Sequence, residues 1–391
     1  MLKAFARALH PWRELRRFKQ LSPEERTCVF YAESALYWIY LKPVVLSLIK
    51  DFGRRICYVT SDREDPLLTD PLSGMLPFYI GSGVARVILF SGLEARVAVM
   101  TLPDLGLFQI KRSGHPVHYV YLHHSIVSTH MIYRRGAFDQ FDSILCVGPH
   151  HVEETRQWEK LQGLPSKELL HHGYGPLDQL LAEPARSGKA ATEPKVLVAP
   201  SWGAQGLLET QGRPLVASLL EAGYHVTVRP HPRTDKLAPE AMAEISASFA
   251  EHPRFAWDRE AGSKRSFLEA DVMVSDWSGA AFEFALGRER PVLFVDVARK
   301  VQNTDYGKIE AVPVEVSLRE TLGAVLTPSA IAQAPAKVEA LLGEGSERVK
   351  RLREARARWV YNPGKSGRAG AEALERLMNE NPTGQPDPSR G

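Results

Sequence analysis

Cysteine is scarce in this chain. Cys28, Cys57 and Cys146 are three in number, far apart, and each sits in an apolar run (TCVFYA, RICYVTS, SILCVG). An odd count without close pairing excludes a disulfide framework and predicts reduced core thiols in a cytoplasmic protein. An excess of one charge is lacking too. The net charge is only +3, and no basic run is long enough to track a groove, so no nucleic-acid partner is expected. No run of roughly 18 or more apolar residues occurs, so nothing is expected to span a membrane, and the N-terminus lacks the apolar core of a signal peptide. Several catalytic signatures are missing as well. There is no GxSxG elbow, no GxxxxGK[ST] loop and no regular GxGxxG, which argues against a serine hydrolase, a P-loop kinase and an ordinary dehydrogenase. His118, His123, His124 and His130 are near one another in sequence but lack HExxH spacing and an acidic partner. No metal and no cofactor are therefore expected.

What is present is alternation. The stretch Asp271 to Asp296 reads DVMVSDWSGAAFEFALGRERPVLFVD: a short apolar strand, a polar break, a helical segment and a second buried strand. That is a unit of a parallel sheet. Similar units recur from TCVFYAES to ELLHHGYGPLDQLL, predicting one doubly wound domain over 25–185. Residues 182–195, AEPARSGKAATEPK, read as a linker. The pattern restarts at KVLVAPSWG and runs through HVTVRPHPR and RFAWD, predicting a second such domain over 190–332. Residues 333–380 are charged and helical, and 381–391 form a polar tail expected to be disordered. At the other end, residues 1–24 begin with a basic amphipathic segment. Lys3, Arg7, Arg13, Arg16, Arg17 and Lys19 interleave with Leu2, Phe5, Leu9, Trp12, Leu15 and Phe18 at helical spacing. Such a helix suits the anionic face of a membrane, here the inner face of the cell membrane; packing on the protein body is the other use of it. Pro11 is expected to bend or split it.

Polar clusters end several strands, where open α/β sheets bind ligands. Glu33 and Ser34 close the first. His123-His124-Ser125 close another in the first domain. In the second domain the clusters are Arg229-Pro230-His231-Pro232-Arg233 and Asp276-Trp277-Ser278-Gly279. A diphosphate needs cations, N–H donors and a hydroxyl, which Arg229, His231, Arg233 and the Ser278 turn supply. Asp276 and Ser278 equally suit a plain helix N-cap. Glu283, on the following helix, is near enough to reach a ribose. Strand side chains alternate, so only one of His123 and His124 is expected to reach the ligand side and act as the base.

These residues resemble the CDP-glycerol glycerophosphotransferase family, the teichoic-acid primases and polymerases of bacteria. ADVMVSDWSGAAFEFALGRERPVLFVD is similar to its strand, Asp-Tyr-Ser-Ser, Phe-Asp-(Phe/Tyr)-Ala and Arg-Pro segments. VLVAPSW, VRPHP, HHGYGPLDQL and HHS resemble its shorter motifs, and together these cover about 120–300. The resemblance implies a GT-B fold: two Rossmann-like domains facing a cleft, without metal. It implies His124 as the base and His231 as support for the phosphates. It makes Ser278 and Gly279 phosphate contacts and puts Glu283 near the ribose. Trp277, Gly279, Glu283, His123 and Ser125 depart from the family pattern. The implied activity is transfer of glycerol phosphate, or a related phosphoalditol, from a CDP-linked donor to a polyprenyl-linked or polysaccharide acceptor. A GT-B glycosyltransferase using a nucleotide sugar is the alternative.

Overall fold

A computed structural model describes residues 2–108, 110–184, 193–260 and 262–380, with side chains from Leu9 onward. The expected disordered tail and most of the expected linker lie outside the described residues. The chain divides into two compact units. The first draws on Met1–His124, Tyr133–Gly175 and Val360–Gly391, and the second on Ser125–Ile132 and Pro176–Trp359.

The first unit is built on seven parallel strands: β1 (Cys28–Ala32), β2 (Ile56–Thr60), β3 (Met75–Tyr79), β4 (Val97–Met100), β5 (His118–Leu122), β6 (Ser143–Cys146) and β7 (Glu168–His171). Their order is β3-β2-β1-β4-β5-β6-β7. β1 is buried along its whole length because helices cover both faces of the sheet, which is why its sequence is uniformly apolar. Val29 and Tyr31 point into one core with Leu15 and Phe18, and with Leu89 and Phe90. Cys28, Phe30 and Ala32 point into the other, with Leu41, Val44, Leu374 and Leu377. The three thiols are free and buried.

Helix α1 (Leu2–Lys19) runs through Pro11 without being split. Its last two turns pack on the first core through Leu15 and Phe18, and Phe18 meets the edge of Phe78 at 5.3 Å between ring centres. Burying Phe18 contributes about 2 kcal/mol. The C-terminal helices do not act as one body. Gly345–Trp359 belongs to the second unit, whereas the chain re-enters the first at Val360, where helix Ser366–Glu380 packs on α2 (Trp38–Phe52). Gly367 permits that approach: a Cβ there would lie 2.6 Å from the Pro43 carbonyl oxygen.

The second unit has six parallel strands: β8 (Lys195–Val198), β9 (His225–Val228), β10 (Phe255–Trp257), β11 (Val272–Ser275), β12 (Val292–Val295) and β13 (Gly323–Leu326). Their order is β10-β9-β8-β11-β12-β13. Val196, Val198, Val272 and Val274 face a core closed by helices Leu207–Glu221 and Ala334–Gly343. On the other face Phe282, from helix Gly279–Arg288, meets Phe294 at 6.4 Å. In both sheets the first strand of the unit pairs with the second on one side and the fourth on the other, so strand order reverses there. That reversal opens a crevice beyond the carboxyl ends of β8 and β11.

Candidate functional site

The residues after β8 and β11 are tied together by Asp276. Its side chain is buried, and its Oδ1 accepts the Ser201 N–H at 2.7 Å while Oδ2 accepts the Leu207 N–H at 3.2 Å. Ser275 adds a hydroxyl bond of 2.8 Å to the Ala199 carbonyl. Burial pushes the Asp276 carboxyl above its ordinary range, against the pull of those N–H groups. Asp276 thus clasps the loop between β8 and helix Leu207–Glu221, and both its oxygens are spent on backbone. Two residues on, Ser278 is the N-cap of helix Gly279–Arg288 and accepts the Ala280 N–H at 3.3 Å. Gly279 opens that helix, and its missing side chain faces Ser125, whose Oγ is 3.6 Å from where a Cβ would stand. Ser125 therefore lies beside the Ser278 turn, in the second unit and not with His124. Glu283 is half-buried on the second turn of the helix and already has a partner within the protein.

The cations sort into two kinds. Arg229 follows β9, and its Nη1 donates to Asp258 Oδ2 at 3.0 Å, the Ser263 carbonyl at 2.6 Å and Ser266 Oγ at 3.2 Å. It braces its own domain. His231 accepts the Arg233 N–H through Nδ1 at 3.1 Å, which leaves the proton on Nε2. Burial first, then the charges of Lys300 and Arg233, bring this imidazole down to about 4, so it is neutral at pH 7. Arg233 and Lys300 are different. The Arg233 guanidinium lies 3.7 Å from the ring centre of Trp202, and the Lys300 ammonium lies 3.3 Å from the same ring centre. Trp202 stands on the loop that Asp276 clasps. Sequence reasoning missed Trp202 and Lys300. The signal was available: Lys300 follows β12 as Arg233 follows β9, and the strand-end rule was not carried to that strand.

In the first unit His123 and His124 part company. His123 is buried, stacks against His151 with ring centres 3.8 Å apart, and meets the edge of Tyr121 at 4.9 Å. Neither of its ring nitrogens has a hydrogen-bond partner among the described residues. Burial and the neighbouring imidazoles hold it well below the ordinary histidine range. His124 Nδ1 lies 2.9 Å from the Thr101 carbonyl and Nε2 lies 3.2 Å from the Tyr133 hydroxyl. The carbonyl fixes the proton on Nδ1, and Tyr133 donates to Nε2. Burial lowers the pKa of His124 to about 4. The Tyr121 hydroxyl also lies 3.1 Å from Nδ1, so both ring nitrogens of His124 have partners in this structure. Among the described residues no group of three or more His, Cys, Asp or Glu side chains is placed to hold a metal ion.

No protein-family model matches this chain, and no curated protein matches it in sequence. Its fold is similar to that of solved structures. A UDP-GlcNAc 2-epimerase of Methanocaldococcus jannaschii, in complex with UDP-GlcNAc and UDP, is 14% identical with a TM-score of 0.56, covering 90% of this chain and 100% of that one. A UDP-GlcNAc 2-epimerase of Neisseria meningitidis bound to UDP-GlcNAc is 11% identical with a TM-score of 0.53, over 90% and 100%. A glycosyltransferase of Rickettsia africae is 9% identical with a TM-score of 0.53, over 91% and 97%. The fold is thus the expected GT-B one, with two Rossmann-like units. The resemblance to CDP-glycerol glycerophosphotransferases is overturned by these comparisons: the similar structures are UDP-GlcNAc 2-epimerases and glycosyltransferases. The CDP-linked donor, the phosphoalditol transfer and the acceptors inferred with them fall with it. The physical reason lies in the motif residues themselves. Asp276 and Ser278 serve a loop clasp and a helix cap, roles that do not depend on what is bound.

Proposed function

We propose that this chain is a glycosyltransferase using a nucleotide sugar, whose second unit holds the nucleoside diphosphate at the carboxyl ends of β8 and β11. The observation that carries this reading is the composition of that crevice. The Ser278-capped helix start, the neutral His231 with its Nε2–H, and the two cations over Trp202 all follow the carboxyl ends of the neighbouring strands β9, β8, β11 and β12, around the point where strand order reverses. A helix N-terminus, N–H donors and cations are what a diphosphate requires. In this reading Ser278, Gly279, Ser125, His231 and Arg233 meet the ligand, and Arg229 and Asp276 hold the loops that carry them. A UDP-linked sugar is the first donor to test, because two of the similar structures named above, both epimerases, carry UDP-GlcNAc.

Attachment to a membrane face through α1 belongs to the same reading. Leu9 and Trp12 are 47% and 45% exposed, and Arg13, Arg16 and Lys19 are exposed beside them. Among the described residues no helix is long and apolar enough to cross a membrane.

Titration calorimetry with UDP, GDP and CDP, followed by product analysis with the UDP-linked sugar, tests the assignment. Release of the nucleoside diphosphate together with transfer of the sugar is the expected result. Interconversion of the intact nucleotide sugar, with no transfer, would make the chain an epimerase instead. Absence of binding by every nucleoside diphosphate would remove the nucleotide-sugar reading.

A further inference from the structure

Two positive charges share one indole in the second unit, and among the described residues neither forms an ion pair. Lys300 is half-buried on the loop after β12, and Arg233 is exposed on the loop after β9. Neither side chain has a hydrogen bond or an ion pair with another side chain or a carbonyl among the described residues; their contact is with Trp202. The carboxylates that act on Lys300 are Asp276 and Glu209. Asp276 accepts from Ser201 and Leu207, and Glu209 accepts the Gly203 N–H through Oε1 at 3.3 Å while its Oε2 has no hydrogen-bond partner among the described residues; both act on Lys300 through space, without an ion pair to it. Asp296, at the end of β12, is paired with Arg319 at 2.7 Å. His231 brings no compensating charge. A cation–π contact offsets part of the desolvation of each cation, but like charges placed this close oppose one another. An arrangement of this kind is relieved by an anion with at least two negative charges.

We propose that Lys300 and Arg233, aligned on Trp202, form the diphosphate-binding element of this chain, with Lys300 setting the affinity for the phosphates and contributing nothing to the base or sugar. This deepens the nucleotide-sugar reading and rests on it for the ligand's nucleoside part, not for the anion. A proton-linked signature follows. Burial and the Arg233 charge bring Lys300 down to about 8, with Asp276 and Glu209 pulling the other way. A bound diphosphate favours the ammonium form, so near pH 8 and above binding takes up a proton. Affinity then falls as pH rises through that value, toward about tenfold per pH unit for a single linked proton. His231 stays neutral across this range and adds no slope.

The experiment is calorimetry on the full chain with UDP, uridine and inorganic pyrophosphate, from pH 6.5 to 9.5, in buffers of different ionisation heat. Lys300→Met is expected to weaken UDP and pyrophosphate about ten- to hundredfold, leave uridine unchanged, and abolish proton uptake above pH 8. Lys300→Arg is expected to keep the affinity and lose the pH dependence, since arginine stays charged. If UDP binds Lys300→Met as tightly as wild type, or the wild-type affinity is flat above pH 8, the inference is overturned while the nucleotide-sugar reading stands. If pyrophosphate binds in the Lys300-dependent way but UDP binds no better than pyrophosphate, the anion site stands and the nucleotide reading falls. The wild-type pH series keeps the test decisive if a variant fails to fold.

Discussion

Asp276 offers a sharp separation between a ligand group and a structural one. Its two oxygens accept buried backbone N–H groups from Ser201 and Leu207, and the residue is 1% exposed. Asp276→Ala leaves both donors without an acceptor in a place water does not reach. Each orphaned donor costs about 1–3 kcal/mol, so the variant is expected to lose about 2–6 kcal/mol of stability. Asp276→Asn keeps one acceptor and sets its amide against the Leu207 N–H, for an expected loss of about 2–3 kcal/mol. The measurement is urea unfolding followed by tryptophan fluorescence, with Trp202 and Trp277 reporting from the second unit. The midpoint should drop without a change of slope. Nucleotide affinity, corrected for the folded fraction, should move far less than it does in Lys300→Met. The pH dependence supplies a second readout. Because burial raises the carboxyl pKa of Asp276 in the folded state, the folded protein takes up this proton before the unfolded chain does. Its contribution therefore grows as pH falls through the folded value and is lost as pH rises through it. Asp276→Asn removes that gain. An Asn variant with wild-type stability and lost nucleotide binding would refute the clasp and restore Asp276 as a ligand contact.

Two further outcomes are expected. His172 in the first unit is buried and held down at about 4, while an unfolded histidine titrates near 6.5, so stability falls from about pH 6.5 toward pH 4 and levels off below; at pH 5 the loss from this residue is about 2 kcal/mol. Denaturation midpoints across that range should show a shallower decline in His172→Leu, and an unchanged decline would mean that other groups carry the acid sensitivity. Replacing Leu9 and Trp12 by Ser is expected to lower co-sedimentation with anionic vesicles without unfolding the first unit, because neither residue belongs to its core; equal sedimentation would limit α1 to its packing role.

The parts of this molecule that sequence made legible are those enforced locally. A parallel strand covered on both faces must be apolar throughout, and its end must turn polar, so CVFYAES and VMVSDWSG announce strand and strand end together. The parts it hid depend on partners far along the chain. Ser128 donates its backbone N–H and hydroxyl to Glu315, at 3.0 Å and 2.6 Å, and Asn303 donates to the His130 carbonyl. Those bonds seat Ser125–Ile132 in the second unit, and no periodicity near residue 125 encodes them. The return of helix Ser366–Glu380 to α2 rests on Gly367 meeting Pro43, again across most of the chain. Arg229 shows the complementary case. Its position and type suit a phosphate, but Asp258 at the next strand end claims it. The mistaken family assignment has the same origin. Its most specific motif was the stretch around Asp276 and Ser278, and both residues answer to backbone. A match carried by a clasp and a cap reports the architecture that needs them. Substrate class is reported instead by side chains the backbone leaves free. Among the described residues of the second unit, Lys300 and Arg233 are two such side chains; the strand-end reading named Arg233 and missed Lys300.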